Sequence, residues 1–306
     1  MRSSTARLRY LALGMVILIP GVASAGSDDK NWEAEVGTVV SHRDNFFFRA
    51  DDQAIPPPSA TLTTIYANGE VELDAGKSRW TLGGEAAGSF TNDIDEADYQ
   101  TVGFEVEYKR HKTRGSIGLA YLPNRIFSEE ADGVFFDLTG LELGIRRDLK
   151  PGMWLGLEYG RDDWSFDPSE SDRDAISDEI SVALRVPLGP RVGVRVFALT
   201  GQKDANAPDY DWDGYGYGLA LEWNPSERIS LFARAKARER DYENAPVVDN
   251  NFERSDTIVD GLLNLQFRIG KVWGLRLMGR HRNGESTRVD RNYDASEAGF
   301  ALFFAL

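Results

Sequence analysis

Basic side chains recur at alternate positions in the second half of the chain, a spacing that could bind anions. The runs Arg234-x-Lys236-x-Arg238 and Arg280-x-Arg282 put like charges on one face of an extended strand. Guanidinium and ammonium groups on a common face suit carboxylate, phosphate or sugar-acid groups. The predicted basic wall comprises Arg185, Arg195, Arg234, Lys236, Arg238, Arg268, Arg276, Arg280 and Arg282.

Acidic side chains at the same kind of spacing occupy the first half. The predicted acidic wall comprises Glu33, Glu35, Glu70, Glu72, Glu85, Glu105, Glu107, Glu142 and Glu158. If the strands close into a barrel, consecutive strands are neighbours around its wall. The first and second halves of the chain then form opposite sides, so the two charged walls face one another. A transverse field across a water-filled lumen orients polar solutes and tunes ion selectivity. The alternatives are that the two signs pair across a narrow lumen to satisfy one another, or that each wall is merely solvated.

Other chemistry has weaker support in the sequence. A barrel hydrolase needs serine and histidine paired near the lipid side with a third, orienting group, and the candidates are Ser41 with His42 and His281 with Ser286. Neither has a motif around it, so we predict no catalytic residues. The acidic segments 92–98 and 204–213 carry closely spaced oxygen ligands but match no EF-hand loop, and the chain has no cysteine. We therefore predict no metal site and no cofactor.

The elements that must position these charges are strands. Alternating segments are separated by connections that are in turn tight and long, which is typical of an outer-membrane barrel. The last segment, EAGFALFFAL, shows the alternation clearly. We predict about fourteen strands, near 31–43, 61–73, 78–90, 99–109, 113–122, 135–147, 153–164, 176–187, 191–201, 212–223, 228–240, 256–269, 272–283 and 296–306.

Parity along each strand separates a lipid face from a wet face. On 99–109, Val102, Phe104 and Val106 share one face, while Glu105 and Glu107 share the other. Charge against lipid costs a few kcal/mol at mid-membrane, so the charged parity is predicted to face inward. Small inward residues such as glycine are expected to leave room for water. Tryptophans near predicted strand ends indicate an interfacial aromatic girdle of Trp32, Trp80, Trp154, Trp164, Trp212, Trp223 and Trp273.

Composition and the N-terminus agree with an exported protein. Three arginines, an apolar run and Ala23-Ser24-Ala25 predict a signal peptide at residues 1–25, which leaves 26–306 as the barrel. The net charge is −14, which argues against nucleic acid as a partner. A soluble β-sandwich is the main alternative, but so many hairpins would need two cores or a repeat, and the sequence shows no fixed-period repeat.

The C-terminal third resembles known barrels. The segment Arg238-Glu239-Arg240-Asp241-Tyr242, then Arg254-Ser255-Asp256, Ser286 and Tyr293 resemble the closing hairpins of β-barrel porins from exopolysaccharide gene neighbourhoods and of surface-lipoprotein assembly modifiers. The resemblance covers about residues 228–306. The final residue is Leu306 rather than an aromatic, and no helical repeat precedes the first predicted strand, which weakens the assembly-modifier reading.

The predicted fold is therefore an all-β, antiparallel, up-and-down transmembrane barrel of about fourteen strands, in a Gram-negative outer membrane with both termini in the periplasm. The predicted function is a porin-like channel for passive diffusion of ions or small polar solutes. The alternatives are an accessory barrel for export or assembly of surface polysaccharide or lipoprotein, and a closed structural or adhesion barrel acting through acidic outer loops. Expected partners are outer-membrane lipid and lipopolysaccharide, the barrel-insertion machinery, small polar solutes and an export partner.

Overall fold

A computed structural model describes residues 31–45, 59–92, 98–125, 135–242, 254–287 and 291–306, so the predicted signal peptide lies outside the described residues. Fourteen antiparallel strands close into one barrel, in which β1 pairs with β14. The predicted fold class is confirmed. The strands are β1 Trp32–Arg43, β2 Ala60–Ala75, β3 Ser78–Thr91, β4 Tyr99–Arg110, β5 Thr113–Arg125, β6 Phe136–Lys150, β7 Met153–Phe166, β8 Ala175–Pro187, β9 Val192–Ala205, β10 Trp212–Ser226, β11 Ile229–Tyr242, β12 Arg254–Ile269, β13 Trp273–Ser286 and β14 Tyr293–Ala305.

Alternation along the strands explains why the sheet closes with one apolar face. Outward positions carry large exposed hydrophobic side chains, among them Phe104 at 62% and Leu263 at 50% exposure. Inward positions carry charged, polar and small residues, together with buried apolar clusters. Lipid can cover the outward face, whereas charges there would be costly. No helix among the described residues is both long and apolar enough to cross a bilayer.

Tight hairpins join the strands at the barrel end where β1 begins and β14 ends. Gly76 and Gly152 have positive φ angles there, of +64° and +76°, a conformation that glycine adopts without a steric penalty. The connections at the other end, here called the outer end, are longer. Two of them dock on one another, because the Asn206 and Ala207 amides donate to carbonyls of 172–174 at 2.9 and 2.6 Å.

Inward glycines are covered by neighbouring side chains. The ring of Phe303 lies over Gly274, its directly paired residue, and Tyr66 covers Gly37 in the same way. Aromatic rings laid over glycine shield the exposed backbone and pin the strand register. At Gly274 and Gly37, the space left by the missing side chain is therefore filled by a neighbouring ring. The covering rings join one buried apolar cluster of Val39, Tyr66, Leu262, Met278, Ala301 and Phe303.

Candidate functional site: the inner wall of the barrel

All eighteen residues of the two predicted walls lie on the strand faces that point inward. The acidic residues come from strands between β1 and β7 and the basic residues from strands between β8 and β13, so the two sets occupy opposite sides of the closed barrel. The structure thus groups the predicted acidic residues on one side of the barrel and the predicted basic residues on the other. That these walls line an open pore is a proposal.

Asp260, which stands as an acidic exception on the basic side, is the centre of the basic wall. Arg234 donates to its Oδ1 at 2.9 Å. Arg280 and Arg282 both donate to its Oδ2, at distances between 2.5 and 3.2 Å. The register explains the convergence, because Asp260 pairs with Lys236 on β11 and with Arg282 on β13. Arg234 and Arg280 sit one inward position further from the outer end.

Two further ion pairs reach across intervening strands. Arg185 on β8 donates to Glu222 on β10 at 2.8 Å and crosses β9 at Gly193, which pairs with Glu222. Arg238 on β11 meets Glu179 on β8. These bridges run along the inner wall, and the glycine leaves the surface low enough for the Arg185 side chain to lie across it.

Replacing Gly193 with alanine should break the Arg185–Glu222 pair. A Cβ there would overlap the guanidinium, which is the end of a flexible side chain and can swing into the lumen. Because both partners are partly solvated, we expect a loss of about 1 kcal/mol in the free energy of unfolding. The measurement is a double-mutant cycle with Arg185→Gln. Equal costs of Gly193→Ala in both backgrounds would show that the glycine is needed for another reason.

At the seam between β1 and β14, ion pairs join the two walls. Arg43 donates to Glu297 through Nε at 3.1 Å and Nη2 at 2.6 Å, and both side chains are buried. Further from the outer end, Glu35 accepts from Tyr66 at 2.7 Å and from Arg276 at 3.3 Å. The guanidinium of Arg276 also stacks over the ring of Phe303, at 5.0 Å from its centroid.

Most other ion pairs that we describe stay within one wall. The basic exceptions on the acidic side serve acidic neighbours: Arg114 meets Glu107 at 3.3 Å, and Arg79 meets Glu72 at 2.9 Å. Charge pairing and charge segregation therefore coexist. Each wall keeps an excess of one sign, because its minority charges form ion pairs with neighbours in the same wall.

Three predicted girdle tryptophans face inward instead. Trp154, Trp164 and Trp212 are buried, and the prediction of a lipid-facing position is wrong for them. Cations cover their rings: Arg146 lies 4.9 Å from Trp154, Lys203 lies 5.0 Å from Trp164, and Arg240 lies 4.6 Å from Trp212. Cation–π contact and burial of the apolar ring account for the inward placement.

The other four tryptophans are exposed on the outward face near the end with tight turns. They are Trp32, Trp80, Trp223 and Trp273, and a girdle there stays a prediction. Nearer the outer end, the outward face carries tyrosines that donate to carboxylates. Tyr121 donates to Asp137 at 3.3 Å, Tyr159 to Asp178 at 2.5 Å, and Tyr215 to Glu239. Tyrosine therefore replaces tryptophan at this level.

Neither of the two serine–histidine candidates forms a hydrogen-bonded pair in the structure. Ser41 points inward while His42 points outward and contacts Thr61 at 3.2 Å. His281 contacts Ser296 at 3.1 Å, not Ser286, which faces inward. The carboxylate of Asp294 lies 3.6 Å from His281, beyond hydrogen-bond reach. These outward side chains are half-exposed and form a polar border at the outer rim.

Several inner-wall residues escaped sequence reasoning. Lys203 lies beyond the predicted strand 191–201 but within the observed strand, where it shares the parity of Arg195. Arg240 continues the Arg234, Lys236 and Arg238 series by the same parity. Glu179 belongs to the basic wall by strand but not by sign. Extending each strand by one inward position would have found Lys203.

The metal expectation concerns two acidic segments. Residues 93–97 of the first lie outside the described residues. Across the described part of the chain, which includes 204–213, no group of three or more acidic, histidine or cysteine side chains is arranged to hold a metal ion.

Comparison with known proteins identifies a fold class. No family model matches the chain, and no curated protein matches it. Among solved structures, the loop L8 deletion mutant of OmpT, an outer membrane protein of Vibrio cholerae, is 10% identical with a TM-score of 0.50 and covers 90% of this chain and 100% of its own.

Two further solved structures show the same likeness. A bacterial polysaccharide outer membrane secretin is 12% identical with a TM-score of 0.50, over 89% of this chain and 98% of that one. The TodX deltaS2S3 mutant, a monoaromatic hydrocarbon channel, is 10% identical with a TM-score of 0.50, over 90% of each chain. At this identity the likeness shows the fold alone, which is that of outer-membrane barrels.

Proposed function

We propose that this protein is a Gram-negative outer-membrane channel for passive diffusion of ions or small polar solutes through a charged lumen. The observation that carries the proposal is the segregation of inward charge: acidic side chains on β1–β7 face basic side chains on β8–β13. Oppositely charged walls act on solutes that pass between them. A barrel with a purely structural role has no need of such an arrangement.

The proposed setting follows from the outward face. Its apolar side chains would contact outer-membrane lipid and lipopolysaccharide once the insertion machinery has placed the barrel. The end with the tight turns, where β1 begins and β14 ends, would lie in the periplasm. Small polar solutes are the proposed ligands, and no step requires a catalytic group.

The first test is single-channel conductance of refolded residues 26–306 in a planar bilayer. Steady, salt-dependent opening supports a water-filled lumen. Silence from a folded, heat-modifiable barrel would overturn the channel proposal. It would favour the closed barrel that acts through its outer loops, an alternative consistent with the buried apolar cluster of the inner wall.

Neutralising Arg234, Lys236 and Arg238 to glutamine should shift ion selectivity toward cations. The change removes three positive charges and also releases Glu179 from its ion pair with Arg238, so both effects have the same sign. The measurement is the reversal potential in a salt gradient. The matched control neutralises three outward residues, Arg110, Arg147 and Arg161, and should leave it unchanged. An unchanged potential in the inward variant would contradict the wall assignment.

A further inference from the structure

The cluster around Asp260 brings more positive charge together than its carboxylate can balance. Lys236 and Arg282 flank Asp260 in the register, and Arg234 and Arg280 flank Leu262 at the next inward position. In the strand register, Arg280 lies opposite Glu297 on β14. Arg43 on β1 forms an ion pair with Glu297 from the other side. Basic side chains thus outnumber acidic ones across four neighbouring strands, β11, β12, β13 and β14, and into β1.

Hydrogen-bond capacity shows the same imbalance. A guanidinium presents five N–H donors, whereas a carboxylate accepts about four hydrogen bonds. Oδ2 of Asp260 already accepts from two nitrogens of Arg280 and two of Arg282. Nε of Arg234 is buried without a hydrogen-bond partner. Asp260 therefore leaves at least one donor of the cluster, the Nε of Arg234, unsatisfied.

The arginines are recessed but reach the lumen. Side-chain exposure is 23% for Arg234, 10% for Arg280 and 11% for Arg282, against 5% for Asp260. Charges at such partly dry positions act more strongly than in bulk water. An anion at the lumen surface would meet the guanidinium edges before it met the carboxylate beneath them.

We infer that the surface formed by Arg234, Arg280 and Arg282 over Asp260 is a binding site for small oxyanions. The ligand chemistry is a carboxylate or phosphate group, because planar guanidinium forks match pairs of oxygens and not a spherical ion. Asp260 accepts hydrogen bonds from the three arginines and competes with the ligand for them, so binding is weak enough for release. The inference rests on the proposed channel function, for which it names the solute class.

The test uses refolded residues 26–306 and two independent readouts. The first is the apparent melting temperature of the compact, heat-modifiable form in detergent, with sodium phosphate, sodium acetate and sodium chloride compared at equal ionic strength. A ligand that binds only the folded state raises this temperature, and above its Kd the rise grows with the logarithm of ligand concentration. The second is block of the chloride current in a bilayer by phosphate or acetate.

We expect phosphate and acetate to raise the melting temperature with a logarithmic dependence on concentration, and chloride to have no such effect. Arg280→Gln with Arg282→Gln should weaken binding at least tenfold, and Arg234→Gln, which loses one hydrogen bond to Asp260, serves as the second variant if that pair fails to fold. Asp260→Asn removes the internal competitor and should tighten binding several-fold. The outward triple Arg110→Gln/Arg147→Gln/Arg161→Gln should bind as the parent does.

The outcomes separate this inference from the channel proposal. Stabilisation by oxyanions in a barrel that never conducts would uphold the site and remove the channel. A conducting barrel with no oxyanion effect, or with equal effects of chloride and phosphate, would overturn the site alone. Weaker binding in Asp260→Asn would also overturn it, because the carboxylate would then be a part of the site and not its competitor.

Discussion

Glu297→Gln should lower the free energy of unfolding of the barrel by about 3–5 kcal/mol. Arg43 and Glu297 are each only 4% exposed, and two nitrogens of the guanidinium donate to one carboxylate oxygen. Removal of one partner leaves a buried charge without its counterion, which costs far more than the intact pair contributes. The loss falls on the seam where β1 closes against β14.

The measurement is urea unfolding of the refolded protein, followed by loss of heat-modifiable gel mobility. Glu72→Gln is the matched control, since its pair with Arg79 is 23–32% exposed and should contribute under about 1 kcal/mol. The double variant Arg43→Met/Glu297→Met should recover most of the loss, because neither charge is then buried. Equal effects of Glu297→Gln and Glu72→Gln would show that the seam pair is solvated.

The strand plan and the inward face follow from the sequence because both depend on a period of two. Charged residues such as Glu105 and Arg268 fix the wet parity without any knowledge of the partner strands. Strand ends are harder to place. The predicted strand 191–201 stops short of Ala205, where the observed strand ends. Arg43 is correctly placed at the end of the first strand, but its buried partner Glu297 is 254 positions away in the sequence.

Contacts that cross an intervening strand could not be predicted. The Arg185–Glu222 bridge depends on the register of three strands and on Gly193 between them. By sign, Asp260 is an exception on a basic strand, but the register surrounds it with cations on both flanks. Trp212 lies at a strand end, which favours a position in the aromatic girdle. Its parity is that of Gly214 and Gly216, which places it on the inner face.

Pairing and segregation were alternatives in the sequence, and in the structure they occur together. Minority charges such as Arg114 and Glu222 are held by neighbours of the same wall. The majority charges then determine the sign that each wall presents. A transverse field therefore does not require unpaired charges along the whole lumen. It requires that the pairs form along a wall, and the seam is the place where pairs join the two.

Gly274→Ala should destabilise the barrel by about 1–3 kcal/mol, whereas Gly279→Ala on the same strand should be nearly neutral. A Cβ on Gly274 would overlap the ring of Phe303, with Cε2 only 2.6 Å away. That ring is buried in the inner apolar cluster and lies under Arg276, so it has no free direction to move. Gly279 points outward, and a Cβ there meets no atom within 4 Å.

The two variants change the same residue type by the same single carbon, so the difference between them isolates the inward packing. Urea midpoints of the two refolded proteins give that difference directly, with equal unfolding slopes as the check that both unfold in the same way. Phe303→Leu should reduce the cost of Gly274→Ala, because a smaller side chain leaves room for the added carbon. If Gly274→Ala and Gly279→Ala cost the same, then strand propensity and not the seat of Phe303 selects glycine at position 274.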